Sequence, residues 1–135
     1  MRPLPRIEDI MTREVITITP EMDLLRAMHL LLYHCISGMP VVDAQGRLLG
    51  MLSQKDCLRA ALHAGYHAGQ GGLVGDAMRT PVESLTPDLD ILSAAERFLS
   101  GPYRRFPVMD GARIAGILSR SDLLRALAVV REASG

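Results

Sequence analysis

Two serine–aspartate pairs carry the residue types and spacing best suited to chemistry in this chain: Ser53 with Asp56, and Ser119 with Asp122. Each closes the same string, Gly50-Met51-Leu52-Ser53-Gln54-Lys55-Asp56 and, 66 positions later, Gly116-Ile117-Leu118-Ser119-Arg120-Ser121-Asp122. At the start of a helix, unpaired amides and a partial positive charge make a ready site for phosphate. The serine hydroxyl adds a hydrogen bond to a phosphate or ribose oxygen. The aspartate, one turn on, is placed to accept both hydroxyls of a ribose diol. Gly50 and Gly116, having no Cβ, would let a ligand approach the strand backbone closely. Ser-x-x-Asp before an apolar helix is also the pattern of a capping box, which only starts a helix. The signature alone leaves both readings open.

The elements that must position these pairs are themselves duplicated. Upstream, Met11/Met78, Val15/Val82, Thr19/Thr86, Pro20/Pro87, Asp23/Asp90, Pro40/Pro107, Val41/Val108 and Asp43/Asp110 match at an offset of 67. Each copy reads as strand, helix, strand, strand, helix. Val15 to Ile18 forms the first strand, and Thr19-Pro20 supplies an N-cap and a first-turn proline. Leu24, Leu25, Met28, Leu31 and Leu32 follow at helical spacing, as do Ile91, Leu92, Ala95, Phe98 and Leu99. Met39–Asp43 then pairs with Arg47–Leu52, and Phe106–Asp110 with Arg113–Leu118. The change of offset falls in the hairpin loops. Ala44-Gln45-Gly46 suits a left-handed bulge at glycine, and Gly111-Ala112 a two-residue primed turn. The closing helices start at the signatures, with apolar stripes at Leu58, Ala61 and Leu62 and at Leu123, Leu124, Leu127 and Ala128. Repeats are placed at 1–64 and 74–135, joined by a glycine-rich linker over 65–73.

Composition removes several function classes. Fifteen basic and fifteen acidic residues balance to no net charge, so no global field would gather nucleic acid or an anionic membrane. With 48% hydrophobic residues but only three Tyr, two Phe and no Trp, the core is aliphatic. The two cysteines, Cys35 and Cys57, sit in apolar helical patterns and read as reduced, buried small hydrophobes. No signal peptide or membrane span is expected, and a cytoplasmic location follows as the default. The glycine-rich stretch contains no P-loop or dinucleotide string. His63 and His67 have helical chelate spacing, with His34 and Cys57 near in sequence, but Gly65 interrupts the helix and no carboxylate completes a set. No metal and no catalytic residues are expected.

With these motifs in order twice over residues 7 to 128, the chain resembles a tandem pair of cystathionine-β-synthase (CBS) domains, a Bateman module. The matching residues are Asp9-Ile10-Met11 and Asp76-Ala77-Met78, Thr19-Pro20 and Thr86-Pro87, Met39-Pro40-Val41-Val42-Asp43 and Phe106-Pro107-Val108-Met109-Asp110, and both signatures. The resemblance implies an α/β (α+β) fold of two β-α-β-β-α repeats about a pseudo-two-fold axis. It also implies inter-repeat clefts that bind AMP, ADP, ATP or S-adenosylmethionine as regulatory ligands. It places Asp56 and Asp122 on ribose, and Ser53 and Ser119 by ribose or phosphate. Thr17, Ile18, Thr19, Ser84, Leu85 and Thr86 would line the adenine side, with Pro40 and Pro107 beside them and Arg104 and Arg105 as phosphate contacts. Ser37-Gly38 stands where the second copy has Arg104-Arg105, so the two sites are expected to be unequal. The expected protein is a non-catalytic homodimer that senses an adenine nucleotide, requires no cofactor and signals to an unidentified effector in trans. The alternatives are a ligand-free structural or dimerisation module, with both signatures serving as caps, and an S-adenosylmethionine-type sensor.

Overall fold

The computed structural model describes residues 3–64 and 72–134. Most of the expected linker, residues 65–71 with His67, lies outside them. The chain divides into two compact units. The first spans Ile16–Val82, and the second joins Met1–Val15 to Glu83–Gly135. The units are therefore cut differently from the sequence repeats, because each repeat's opening Asp-x-Met segment belongs to the unit built on the other repeat's hairpin.

In the first unit, α2 (Leu24–Tyr33) precedes an antiparallel hairpin of β1 (Gly38–Val42) and β2 (Leu48–Ser53). The long helix α3 (Gln54–Ala64) and the single turn α4 (Val74–Ala77) follow. Met39 lies opposite Leu52 and Val41 opposite Gly50. Gly46 takes φ +81, as its loop position requires, while the Asp43 carboxylate accepts from the Gln45 and Arg47 amides at 2.9 Å each. The expected first strand contributes one parallel bridge, Ile18 to Val41. Pro20, with no amide hydrogen, stops the ladder from growing further. On the other edge Arg79 pairs antiparallel with Met51, so β2 is flanked on both sides. The core is Ile18, Leu24, Ala27, Leu31, Met39, Val41, Leu52, Cys57 and Val74. Each such side chain withdrawn from water is worth about 1.5–3 kcal/mol for the larger aliphatics.

The second unit repeats this plan. The single turn α1 (Ile7–Ile10) packs with α5 (Ile91–Leu99), the hairpin β3 (Arg105–Asp110) with β4 (Arg113–Ser119), and α6 (Arg120–Ser134). Leu85 bridges Val108 on one edge and Thr12 bridges Ile117 on the other. Ile7, fully buried, donates its amide to Leu89 at 2.8 Å, which fixes α1 on this unit. The core is again mainly aliphatic but differs from its counterpart in holding an aromatic cluster: Phe106 packs edge-on against Phe98 at 4.8 Å, with Tyr103 at 5.1 Å.

Four local expectations are corrected. Thr19 and Thr86 are not N-caps. The caps are Asp23 and Asp90, whose carboxylates accept from Leu25 and Ser93, and the threonines open the preceding turns through Met22 to Thr19 and Leu89 to Thr86 amide bonds. An ionised carboxylate is the better acceptor for helical amides. The leucine stripe of α3 faces outward: Leu58 and Leu62 are 71% and 83% exposed, and Cys57 and Ala60 meet the core instead. In α6, Leu123 and Leu127 face the core while Leu124 is exposed. Cys35 is exposed with φ 54 at the end of α2, whereas Cys57 is buried. Among the described residues no helix is long and apolar enough to cross a membrane.

Candidate functional site

Both signatures stand at the junction of a strand and a long helix, β2 into α3 and β4 into α6. The capping box is fully formed in each. The Asp56 amide donates to Ser53 Oγ at 3.1 Å and the Ser53 amide to Asp56 Oδ2 at 2.8 Å. In the second unit the Asp122 amide donates to Ser119 Oγ and the Ser119 amide to Asp122 Oδ2, both at 3.1 Å. The hydroxyl oxygens thus accept from the chain, and each hydroxyl keeps its hydrogen to donate.

The glycines do other work than expected. A Cβ on Gly116 would lie 2.7 Å from Met11 Sδ and 2.8 Å from the Thr12 carbonyl oxygen. On Gly50 it would lie 2.7 Å from Met78 Sδ and 2.9 Å from the Arg79 carbonyl oxygen. The bare backbone admits the chain's own Asp-x-Met segment, not a ligand. That segment places residue 79 over Asp56 and residue 12 over Asp122, since the Arg79 and Thr12 backbones are pinned to Met51 and Ile117 by paired amide bonds.

From there the two sites diverge. The Asp56 side chain is 1% exposed, held by Arg59 Nη1 at 2.8 Å and Arg79 Nε at 3.5 Å. The Asp122 side chain is 13% exposed; Arg125 Nη1 lies 3.3 Å away and the Thr12 hydroxyl donates to Oδ2 at 3.3 Å. Arg105 lies opposite Ser119 in the β3–β4 hairpin. Partial burial pushes its guanidinium below its ordinary pKa, and the Asp122 charge opposes that shift. Arg104 is exposed, and its carbonyl accepts from the Arg120 amide at 3.0 Å, much as Ser37 accepts from Gln54 at 2.9 Å.

The other expected residues are spread more widely. Thr17, Thr19 and Thr86 are exposed and Ser84 half-buried, whereas Ile18 and Leu85 put their side chains in the cores. Their backbones are engaged too: Ile18 donates to Pro40 and accepts from Val42, and Leu85 donates to Pro107 and accepts from Met109. Pro40 and Pro107 are buried strand residues opposite Met51 and Ile117. An open cavity of ≈ 460 Å³ in the second unit includes Thr86, Glu8, Arg13 and Asp88 but neither Ser119 nor Asp122. Cys57 is buried, and burial and then the Asp56 charge push its thiol pKa up, away from the reactive thiolate. Among the described residues no cluster of three or more His, Cys, Asp or Glu could hold a metal ion.

Sequence reasoning passed over three arginines. Arg59 and Arg125 extend the signature to Ser-x-x-Asp-x-x-Arg in both copies, a signal readable from the repeat itself. Arg79 stands where the first copy has Thr12, a mismatch whose meaning depends on knowing that this segment pairs beside the signature.

Comparison with known proteins adds an independent line. The family model described as "CBS domain" matches residues 7–63 and again 74–129. The chain is 31% identical over 118 residues to the CBS domain-containing protein YhcV of Bacillus subtilis, covering 87% of this chain and 81% of that one. It is also 32% identical over 127 residues to an A-adding tRNA nucleotidyltransferase of Geobacter sulfurreducens, covering 93% of this chain but only 14% of that enzyme. Among solved structures, CBSX2 of Arabidopsis thaliana in complex with AMP is 27% identical with a TM-score of 0.83, covering 93% of this chain and 98% of that one.

Proposed function

The chain belongs to the CBS-domain family as a tandem pair, and on that premise we propose that it is a non-catalytic regulatory module whose ligand is an adenine nucleotide. The carrying observation is the repeated carboxylate and hydroxyl at the amino end of a long helix, with Arg105 opposite Ser119 in the second hairpin. A ribose diol and a phosphate attached to one another match that pair of opposite charges. The AMP bound by the similar CBSX2 has that chemistry. Asp122 takes the ribose hydroxyls, Ser119 donates to a ribose or phosphate oxygen, and Arg105 with the α6 amides faces the phosphate. Thr86, Ser84 and the Leu85 backbone lie on the adenine side, as Thr17, Thr19 and the Ile18 backbone do in the first copy.

Binding favours whichever packing of the module holds the ligand better, and an effector protein in trans reads that population. The outward leucines Leu58, Leu62 and Leu124 support a homodimer as the working form.

A thermal-shift panel of AMP, ADP, ATP and S-adenosylmethionine tests the ligand class. An adenine nucleotide at a hundredfold excess over its Kd is expected to add about 2.7 kcal/mol of stability. If none of the four raises the melting temperature at millimolar concentration, the signatures are helix caps and the sensor reading is wrong.

A further inference from the structure

The two signature aspartates are not equally available. We infer that Arg79 and Arg59 latch the Asp56 site shut, so that the nucleotide enters the Asp122 site and the first copy stays closed until Arg79 is displaced. This inference rests on the adenine-nucleotide reading and adds to it which copy binds and what restrains the other.

A ribose diol needs a carboxylate oxygen it can reach. In the first unit Asp56 Oδ2 is taken by the Ser53 amide, and Oδ1 lies between two guanidinium groups, at 2.8 Å from Arg59 and 3.5 Å from Arg79. The side chain is almost completely withdrawn from solvent. A neutral diol entering there would have to replace charge-assisted contacts with weaker neutral ones. In the second unit the residue paired beside the signature is Thr12. Its hydroxyl reaches Asp122 Oδ2 at 3.3 Å, leaving Arg125, 72% exposed, as the ion partner of Oδ1 at 3.3 Å. That pair is longer than the 2.8 Å contact to Asp56 and its arginine stands mostly in solvent, so it is more easily exchanged for a ligand.

The strand-end positions reinforce the contrast. Arg105, in the field of Asp122, corresponds to Gly38 in the first copy, so only the second site brings a cation from that strand. The first site's cation comes from the opposite side, through Arg79, and is already spent on Asp56. Both latch arginines are about half exposed, 49% and 47%, so an anion arriving from solvent can reach them and compete with Asp56.

The repeat supplies its own control, since Arg79→Thr gives the first site the residue the second site already has. Calorimetric titration with AMP is expected to give about one equivalent per chain in the wild type and about two in Arg79→Thr. Arg59→Gln serves as a second opening variant, and Asp122→Asn should weaken wild-type binding by about tenfold or more. Two equivalents in the wild type, unchanged binding in Asp122→Asn, or a loss of affinity in Arg79→Thr would each overturn the latch. The last outcome would make Arg79 a phosphate contact instead. If AMP binds neither the wild type nor either opening variant, the nucleotide reading itself fails and takes this inference with it, an outcome distinct from the others.

Discussion

Asp56→Ala is expected to lower the unfolding free energy by about 2–3 kcal/mol without any ligand present, and Asp122→Ala by about 1–2 kcal/mol. Both substitutions remove a capping carboxylate and leave a serine amide at the helix start without its acceptor. The difference lies in what else each carboxylate holds. Asp56 is enclosed, with its Ser53 bond at 2.8 Å and two arginines converging on the remaining oxygen. Asp122 has longer contacts of 3.1 to 3.3 Å and more solvent to replace them. Arg105 loses a compensating charge in Asp122→Ala, but it is only partly buried and can turn toward water. Urea midpoints, read together with hydrogen exchange at the α3 and α6 amides, measure the two effects separately. Equal losses, or a larger one for Asp122→Ala, would mean that Asp56 is not the more tightly held of the two. Because the same residues cap helices, a ligand effect must be scored with Asn substitutions, which keep an acceptor oxygen.

Phe106→Ala is the substitution expected to cost most, about 3–5 kcal/mol. Phe106 is fully buried at the centre of the second unit, edge-on to Phe98, beside Tyr103, with the Arg97 guanidinium 5.5 Å from its ring centre. Truncation opens a cavity that the rigid neighbours cannot close and removes aromatic pair energy of about 0.5–1.5 kcal/mol besides. The equivalent position in the first unit is Met39, also fully buried but flexible and among aliphatics. Phe106→Met should therefore be much milder than Phe106→Ala. Exchange protection should fall first in β3, β4 and α5. Uniform loss across both units would show that the two cores do not have separate stabilities.

What the sequence disclosed and what it hid follow a physical pattern. The hairpins were legible because glycine and strand alternation act locally: Gly46 at φ +81 and Gly111 at φ +63 stand where their loops needed them. The signatures were legible for the same reason, as Ser and Asp three residues apart bond to one another whatever surrounds them. Periodicity located the helices but misjudged their faces, since Leu58 and Leu62 are as apolar as any core residue and nothing in their spacing says which side meets the sheet. Asp23 and Asp90 stand out in the sequence as a matched pair but not as caps, because the threonine of Thr-Pro four residues earlier offers a stronger local pattern. The purpose of Gly50 and Gly116, and the placement of Arg79 and Thr12, depend on a segment more than twenty residues away pairing with β2, or one about a hundred residues away pairing with β4. No local rule reaches that far.

In the proposed complex a nucleotide's ribose sits on Asp122 with its phosphate toward Arg105. The most direct measurement is a crystal structure of the full chain grown with AMP. AMP density is expected at the β4–α6 junction, with both ribose hydroxyls within hydrogen-bonding distance of the Asp122 carboxylate and Asp56 still held by Arg59 and Arg79. AMP seated on Asp56 with the Asp122 site empty, or no AMP at either signature, would contradict it.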